Sequence, residues 1–271
     1  MRINRNNTRD IKQVMANYRY INMQKTLLIS LTIFFIISGF KMKVHFRQIK
    51  KIVETENVSD LEKQIENGFN INATFRGNLT ILHYAIMERK FDFVKVLIEK
   101  GADINDQTND LWTPLYLATS STWRNDSIAE YLINKGANIE IGAKYGFTPI
   151  FNTVSYSNEP NYYIFKLLID SGANIDISCP KCCNQTLFIR CCYWGTTDMI
   201  NLLLEKGIDI NQVDCKGRNG LTLAIMEGNN NIVEYLLEEG INKNQVDNRG
   251  YKPLDYAKNS GRKEIIQMIE K

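Results

Sequence analysis

The sequence predicts an all-α repeat solenoid, in which helix-turn-helix units stack side by side and β-hairpin-like loops link each unit to the next. A short motif returns six times along the chain, and most copies are followed by an apolar segment that ends at a glycine. The apolar residues within those segments recur at helical spacing, so each unit has an apolar face that only its neighbours can cover. One unit alone would therefore not fold.

The motif recurs with a period close to 33 residues. Its first copy reads T-I-L-H-Y-A over residues 80–85, and the second reads T-P-L-Y-L-A over residues 113–118. The motif starts fall at residues 80, 113, 148, 186, 219 and 252. A fixed period of this length is the sequence signature of stacked supersecondary units.

Each element of the unit has its own sequence signal. The threonine or asparagine that opens most copies can accept hydrogen bonds from free N–H groups of the first turn, and a following proline is preformed for the first helical position. The second helix is predicted to end at a glycine, because a left-handed cap costs least in a residue without Cβ. These glycines are Gly101, Gly136, Gly172, Gly207 and Gly240.

This pattern resembles the ankyrin-repeat family. The family consensus has T-P-L-H-x-A in the first helix, L-L near the end of the second helix, and then G-A-D-x-N. Residues 94–105, V-K-V-L-I-E-K-G-A-D-I-N, match its second half. The resemblance covers roughly residues 45–271. It implies a monomeric, non-catalytic scaffold without cofactor that mediates protein–protein interaction through its concave face.

The resemblance also divides the folded part of the chain. Residues 43–76 contain the second half of a unit without the T-P-L-H motif, which predicts a degenerate N-terminal capping repeat. Residues 77–271 are predicted to form the ankyrin repeats, ending in a second helix with a polar outer side, as a terminal repeat requires. The steps to residues 148 and 186 exceed 33 residues, and extra residues in solenoids usually lie in loops on one face.

The charges are unevenly distributed along the chain. Residues 1–51 contain eleven Lys and Arg against one acid, which leaves 22 basic and 29 acidic residues in the remainder. Nucleic-acid affinity comes largely from Lys and Arg that replace condensed counterions. An acidic body therefore argues against a nucleic-acid partner.

The N-terminal segment predicts a contact with a membrane. Residues 26–40 form an uncharged apolar run, whose length fits the h-region of a signal peptide better than a full membrane span. The residues before its end do not fit a signal-peptidase site, so an uncleaved anchor stays open. Residues 1–25 form a basic arm, and translation starting at Met23 would remove most of it. The predicted location is exported, periplasmic or secreted, or else membrane-anchored, with membrane contact only through residues 26–40.

The histidines do not indicate an enzyme. The chain has two, and the resemblance places His83 at the motif position where the family histidine bonds neighbouring backbone. No convergent acid–base site remains, so the sequence predicts no catalysis.

Five of the six cysteines lie between residues 179 and 192. The resemblance places Cys191 and Cys192 where the family has small packed residues. Units stack about 10 Å apart, beyond the ~7 Å Cα limit for a disulfide between neighbouring hairpins. Free thiols, a local disulfide and a zinc site stay open for Cys179, Cys182 and Cys183, and the last two would make the protein redox- or zinc-responsive.

The candidate partner-binding residues lie just before and just after the motif copies, where ankyrin proteins usually hold their partners. Trp, Tyr and Arg dominate binding hot spots because they bury much area at low entropic cost. The candidates are Trp112, Lys144, Tyr145, Phe147, Tyr193, Trp194, Arg218, Met226, Arg249 and Tyr251. Packing between repeats is the alternative role, especially for Trp112 and Phe147.

Overall fold

The structure, a computed structural model, describes residues 51–54, 57–120, 122–144, 146–154, 160–179 and 183–271. The chain divides into two compact units, Met1–Thr55 and Glu56–Lys271. In the first unit the described residues, 51–54, are helical. Everything below concerns the second unit.

The second unit is a stack of helix pairs, which confirms the predicted all-α repeat solenoid. Helix α1 (Val58–Glu66) lies where the capping repeat is predicted, and six pairs follow it. The first helices of the pairs are α2 (Ile81–Met87), α4 (Pro114–Thr119), α6 (Pro149–Asn152), α8 (Leu187–Trp194), α10 (Gly220–Glu227) and α12 (Pro253–Ser260). The second helices are α3 (Phe91–Glu99), α5 (Asp126–Asn134), α7 (Tyr162–Asp170), α9 (Thr197–Glu205), α11 (Asn230–Glu238) and α13 (Lys263–Glu270).

The core lies between neighbouring pairs. Helix α2 packs on α4, α4 on α6, α8 on α10 and α10 on α12, while the second helices pack on one another in the same order. The last residue of the motif sits at these contacts and is fully buried in five copies, as Ala85, Ala118, Cys191, Ala224 and Ala257. A small side chain there lets the helices approach closely.

The predicted helix ends are confirmed. The side chains of Thr113 and Asn219 accept hydrogen bonds from the N–H groups of Tyr116 and Thr222, both 3.1 Å long. The five glycines after the second helices have φ between +79° and +92°, the left-handed region that disfavours other residues. Local sequence chemistry thus sets both ends of a repeat.

Asparagine side chains join successive repeats along the segment after each second helix. Asn72 accepts a 2.9 Å hydrogen bond from the N–H of Asp103, and Asn105 accepts one of 2.8 Å from Asn138. Asn211 repeats the contact with the N–H of Asn242 at 2.9 Å. The asparagine of the G-A-D-x-N pattern therefore holds the next repeat in place.

The hairpins that precede the motifs also pair with one another. Strands β1 (Ser178–Cys179) and β2 (Gln185–Thr186) form the one regular hairpin of the described residues. The N–H of Asn109 donates to the carbonyl of Gly77 at 2.8 Å, and that of Asn248 donates to Lys216 at 2.9 Å. Neighbouring hairpins are thus joined backbone to backbone.

The extra residues of two units lie between the two helices of a pair. Helix α4 has six residues and α6 has four, against eight in α10. After α4, Asn125 caps α5 by accepting from Ile128 N–H at 3.0 Å, and before α7 Asn161 accepts from Ile164 N–H at 3.2 Å. Asn161 also donates to Asp126 at 2.7 Å, so the N-termini of α7 and α5 contact each other.

The prediction that the chain is exported or anchored in a membrane is wrong. No helix in the part of the chain that the structure describes is long and apolar enough to cross a membrane. The apolar run of residues 26–40, the basic arm of residues 1–25 and the start at Met23 lie outside the described residues.

Candidate partner-binding surface

We call the hairpin residues before each motif, together with the part-exposed side chains of the first helices, the first-helix surface. Nine of the ten predicted contact residues are described, and they differ in exposure. Lys144, Arg249 and Tyr251 are exposed, Phe147, Tyr193, Trp194, Arg218 and Met226 are part-exposed, and Trp112 is buried. Tyr145 lies outside the described residues.

Two of these candidates are engaged within their own repeat. The ring of Trp112 packs against Trp123 with 5.5 Å between centroids, and Trp123 comes from the segment inserted after α4. The guanidinium of Arg218 forms a salt bridge with Asp214, in which its Nε donates at 2.8 Å. Asp214 also accepts from the N–H groups of Lys216 and Arg218. These contacts stabilise the hairpin and α4.

His83 is a structural residue of the hairpin and the α2 N-terminus. Its Nδ1 accepts from the N–H of Thr80 at 3.2 Å, and its Nε2 lies 3.1 Å from the carbonyl of Trp112 in the next repeat. Burial lowers the pKa of His83 below its usual value, although the Trp112 carbonyl partly offsets this. The ring is therefore neutral, with the proton on Nε2, as these partners require.

Asp247 organises the last hairpin in the same way as Asp214. Its Oδ1 accepts from the N–H groups of Arg249 and Tyr251, each at 2.9 Å, and its Oδ2 accepts from the hydroxyl of Tyr256. Burial alone would raise the pKa of Asp247, but these hydrogen bonds outweigh it and hold the pKa below its usual value. These hydrogen bonds fix the backbone of Arg249 and Tyr251 in the last hairpin.

An arginine surrounded by aromatic rings lies in the middle of the surface. The guanidinium carbon of Arg190 is 4.8 Å from the ring centroid of Trp194, 5.4 Å from that of Phe147 and 5.7 Å from that of Phe151. Its Nε donates to the carbonyl of Val154 at 2.7 Å. The side chain thus spans from α8 to the end of the short α6. We call these four side chains the Arg190 cluster.

Aromatic side chains continue from this cluster toward the C-terminus. The rings of Tyr193 and Trp194 are 4.7 Å apart. Tyr193 hydrogen-bonds Glu227, whose pKa is raised by burial and lowered in part by Arg262 and by Tyr193 itself. Arg262 reaches the carbonyl of Met226 at 3.4 Å. A continuous band of aromatic and charged groups therefore crosses α8, α10 and the start of α13.

Sequence reasoning did not identify Arg190 as a member of this surface, nor Phe151 and Trp123 as the buried rings that contact Arg190 and Trp112. Arg190 occupies the variable fifth position of the motif, which was the available signal for an outward-facing residue. Trp123 lies in an insertion, which no repeat template covers.

The cysteines differ from the sequence expectation. Cys183 is bonded to Cys215 of the next hairpin, with 5.0 Å between their Cα atoms. The N–H of Cys215 donates to the carbonyl of Cys183 at 2.9 Å, so paired hairpins lie closer than the stacked helices on which the 10 Å spacing was based. Cys179 is also disulfide-bonded, and Cys182 lies outside the described residues.

Two cysteines of the described residues remain as free thiols. Cys191 and Cys192 are free and buried, and burial raises the pKa of each thiol, so neither forms a thiolate readily. The residues that the structure describes include no group of three or more His, Cys, Asp or Glu side chains placed to hold a metal ion.

Comparison with known families agrees with this architecture. A family model described as ankyrin repeats, in three copies, matches residues 51–143 and 209–270. The chain belongs to the ankyrin-repeat family. Ankyrin repeats are generally scaffolds of protein–protein interaction, and this coarser part of the functional prediction is confirmed.

Two relatives illustrate how far the sequence similarity extends. An ankyrin repeat protein of Rickettsia bellii is 36% identical over 125 residues, which are 45% of this chain and 35% of that protein. A Danio rerio protein named as a palmitoyltransferase, ZDHHC13, is 28% identical over 195 residues, 59% of this chain and 29% of that protein. The chain thus spans about a third of the length of these relatives.

Solved structures share the fold. The ankyrin repeat domain of human ASB11 aligns with a TM-score of 0.68 at 22% identity, over 82% of this chain and 96% of that one. A chain in the complex of the Bd0816 predatory endopeptidase of Bdellovibrio bacteriovorus with immunity protein Bd3460 aligns with a TM-score of 0.64 at 24% identity, over 73% and 98%. At these identities the likeness establishes the ankyrin-repeat fold alone.

Proposed function

We propose that the ankyrin repeats of residues 77–271, with the capping repeat of residues 43–76, act as a monomeric scaffold that binds a protein partner through the first-helix surface and catalyses no reaction. The observation that carries this proposal is the band of aromatic and charged groups across α8, α10 and the start of α13, together with exposed Tyr251 in the last hairpin. Tyr251 is 41% exposed, and the Asp247 hydrogen bonds fix its backbone. Rigid, part-exposed aromatic and arginine side chains are the residues that dominate protein interfaces.

Site-specific photo-crosslinking in the native cell tests this proposal. A photoreactive phenylalanine analogue replaces Tyr193 or Tyr251 on the first-helix surface, and Tyr163 serves as the matched control. Tyr163 lies on the second helix α7 and is 53% exposed. The expected result is one adduct of the same partner from positions 193 and 251 and none from 163. Equal adducts from all three positions, or no adduct from 193 and 251, would contradict the proposal.

A second candidate function is control of this surface by redox state. The Cys183–Cys215 disulfide supports it, because the bond joins two hairpins of the surface and Cys215 is exposed. A dithiol reductant would transfer two electrons, so that Cys183 and Cys215 become thiols while the dithiol loses two hydrogens and closes to a cyclic disulfide. Disulfide-bonded sulfur is not a thiolate ligand, so the zinc form of this hypothesis has no support among the described cysteines.

Amide hydrogen exchange measured with and without the dithiol tests the redox function. Reduction is expected to accelerate exchange at the Cys215 amide, because its hydrogen bond to Cys183 is then held by packing alone. The C183S/C215S variant should exchange at the faster rate under both conditions. Identical exchange in oxidised and reduced wild-type protein would remove this function.

A further inference from the structure

The Arg190 cluster contains hydrogen-bond donors that the fold does not use. A guanidinium has five N–H donors, and Nε of Arg190 uses one of them on the Val154 carbonyl at 2.7 Å. No other hydrogen bond or ion pair of Arg190 occurs in the structure as described. The terminal NH2 groups, which form the planar fork of the side chain, therefore have no acceptor there.

The charge of Arg190 is also uncompensated. Burial lowers the pKa of Arg190 to about 10, and the small opposing contributions come from Cys191 and Tyr116 rather than from a carboxylate. The side chain remains protonated at neutral pH and stays part-exposed. Arg124 and Arg218 on the same array are each paired with an aspartate. Among the described residues, Arg190 thus has no carboxylate partner of the kind that these two arginines have.

The surrounding rings offset only part of the cost of this charge. A cation over an aromatic face is stabilised only modestly, and a charge that is partly removed from water without a counterion is destabilised. Capping the end of α6 explains the Nε contact, because cations are favourable at helix C-termini. This capping role does not explain why the terminal N–H donors of Arg190 lie among three aromatic rings without an acceptor in the described residues.

We infer that the Arg190 cluster is a receptor for a carboxylate, supplied by an aspartate or glutamate in an acidic, aromatic- or aliphatic-flanked segment of the protein partner. The carboxylate accepts two parallel hydrogen bonds from the fork, and the flanking apolar residue packs on Trp194 and Phe147. This inference rests on the proposed function, since it names the chemistry of the partner that the first-helix surface binds.

Charge complementarity supports an acidic occupant. Lys144, in the hairpin that leads to Phe147 of the cluster, is exposed, although the body of the chain beyond residue 51 is acidic overall. Glu227, the acid nearest in the band, is hydrogen-bonded by Tyr193 and faces Arg262, so it is not the counterion of Arg190. Arg190 is the one arginine among the four side chains of the cluster, which favours a carboxylate over a phosphate, since a phosphate is usually held by a cluster of arginines.

Peptide binding measured by fluorescence anisotropy tests the inference. The probe is a labelled twelve-residue peptide that alternates glutamate with leucine, and its comparison peptide has glutamine at each glutamate position. The expected result is that R190K weakens binding of the glutamate peptide about tenfold, because lysine keeps the charge but not the fork. The glutamine peptide should bind weakly to wild type and R190K alike. R124K, which alters an arginine already paired with Asp126, should bind as wild type does.

Thermal unfolding of R190K shows whether the variant keeps the fold, and R190Q gives a second, uncharged variant that can still reach Val154. Equal affinity of wild type, R190K and R190Q for the glutamate peptide would overturn the inference. Tighter binding of a phosphoserine peptide or of single-stranded DNA than of the glutamate peptide would overturn it as well. If crosslinks from positions 193 and 251 persist undiminished in R190K, the proposed function stands and the carboxylate receptor fails. If those crosslinks are absent in wild type, the proposed function itself fails.

Discussion

The last two repeats and the middle repeats of the array are built from the same motif but held together differently. In the last two, Asp214 and Asp247 each accept two backbone N–H bonds in their hairpins, and Asn248 reaches back to the carbonyls of the preceding hairpin. In the α6–α7 pair the position equivalent to these aspartates is Ala143, and Thr148 caps no N–H group. The α6–α7 pair therefore does not make these two contacts of the motif at Ala143 and Thr148.

What replaces them is a set of long side chains from the next repeat. Arg190 extends from α8 to the end of α6, and Asn161 joins the N-terminus of α7 to that of α5. A repeat that keeps its motif uses short polar groups and leaves little unsatisfied. The middle repeats instead place a cation and several rings at the surface, so the departure from the motif creates the candidate binding groups.

The largest expected effect comes from removing the histidine that joins two regular repeats. His83→Ala should lower the free energy of unfolding by about 3 kcal/mol, because it leaves a cavity and two unmatched backbone groups. Denaturant unfolding measures this change. A loss below about 1 kcal/mol would mean that the contacts of His83 with Thr80 and Trp112 contribute little to stability.

The same residue predicts a pH dependence. The pKa of His83 is lowered in the folded state by burial, so the unfolded chain binds the proton more readily, near its ordinary value of about 6.5. The stability is therefore fully present above that pH and falls as the pH drops below it. The free energy of unfolding of the wild type should decrease between pH 7 and pH 5, while that of His83→Asn should show a flatter profile. Parallel profiles would contradict this assignment.

A smaller effect is expected where α10 meets α8. A Cβ on Gly220 would come within 2.5 Å of the Cys192 sulfur and 3.3 Å of Phe188. Gly220→Ala should therefore cost about 2 kcal/mol through overpacking. Cys192→Ala removes the sulfur, so the double variant should recover part of the loss in a double-mutant cycle of unfolding free energies. Strict additivity would show that the two residues do not contact.

The caps of the regular and departed motifs give a matched pair. Thr113→Val removes the acceptor for Tyr116 N–H and should cost about 1 kcal/mol. The hydroxyl of Thr148 is buried without a hydrogen-bond partner, so Thr148→Val should be neutral or stabilising. Thermal unfolding compares the two, and an equal loss in both would refute the distinction between the repeats.

The smallest effect concerns the asparagine contacts between repeats. Asp176 occupies the repeat position of Asn105 and Asn211, whose side chains each accept a hydrogen bond from a backbone N–H of the next repeat. Within the described residues, Asp176 accepts no such bond from the N–H of Asp209. Asp176→Asn removes a like charge and should stabilise the array by about 0.5 kcal/mol. Asn105→Asp is the reverse control and should destabilise it. Unchanged stability in both variants would show that the contact is not energetically significant.

The sequence predicted the helix pairs, the cap at Thr113 and the glycines correctly, although Thr148 makes no cap. Two of its contact candidates also have partners within the fold that it did not predict. Trp112 is 9% exposed because Trp123, from an insertion, covers it. Arg218 is part-exposed but bonded to Asp214 within its own hairpin. These partners were missed because a motif template gives the position of a residue within the repeat and does not show which side chains pack on it.

The sequence by itself determined the repeat, its period and the helix boundaries, since these depend on groups within a few residues of one another, such as a threonine and the N–H three positions later. Only the tertiary structure decided the Cys183–Cys215 bond, across 32 residues, and the contact of Arg190 with Val154, across 36 residues. Residues so far apart in the sequence come together because one repeat is stacked on the next. Stacking depends on packing along the whole interface between repeats, which no local pattern encodes.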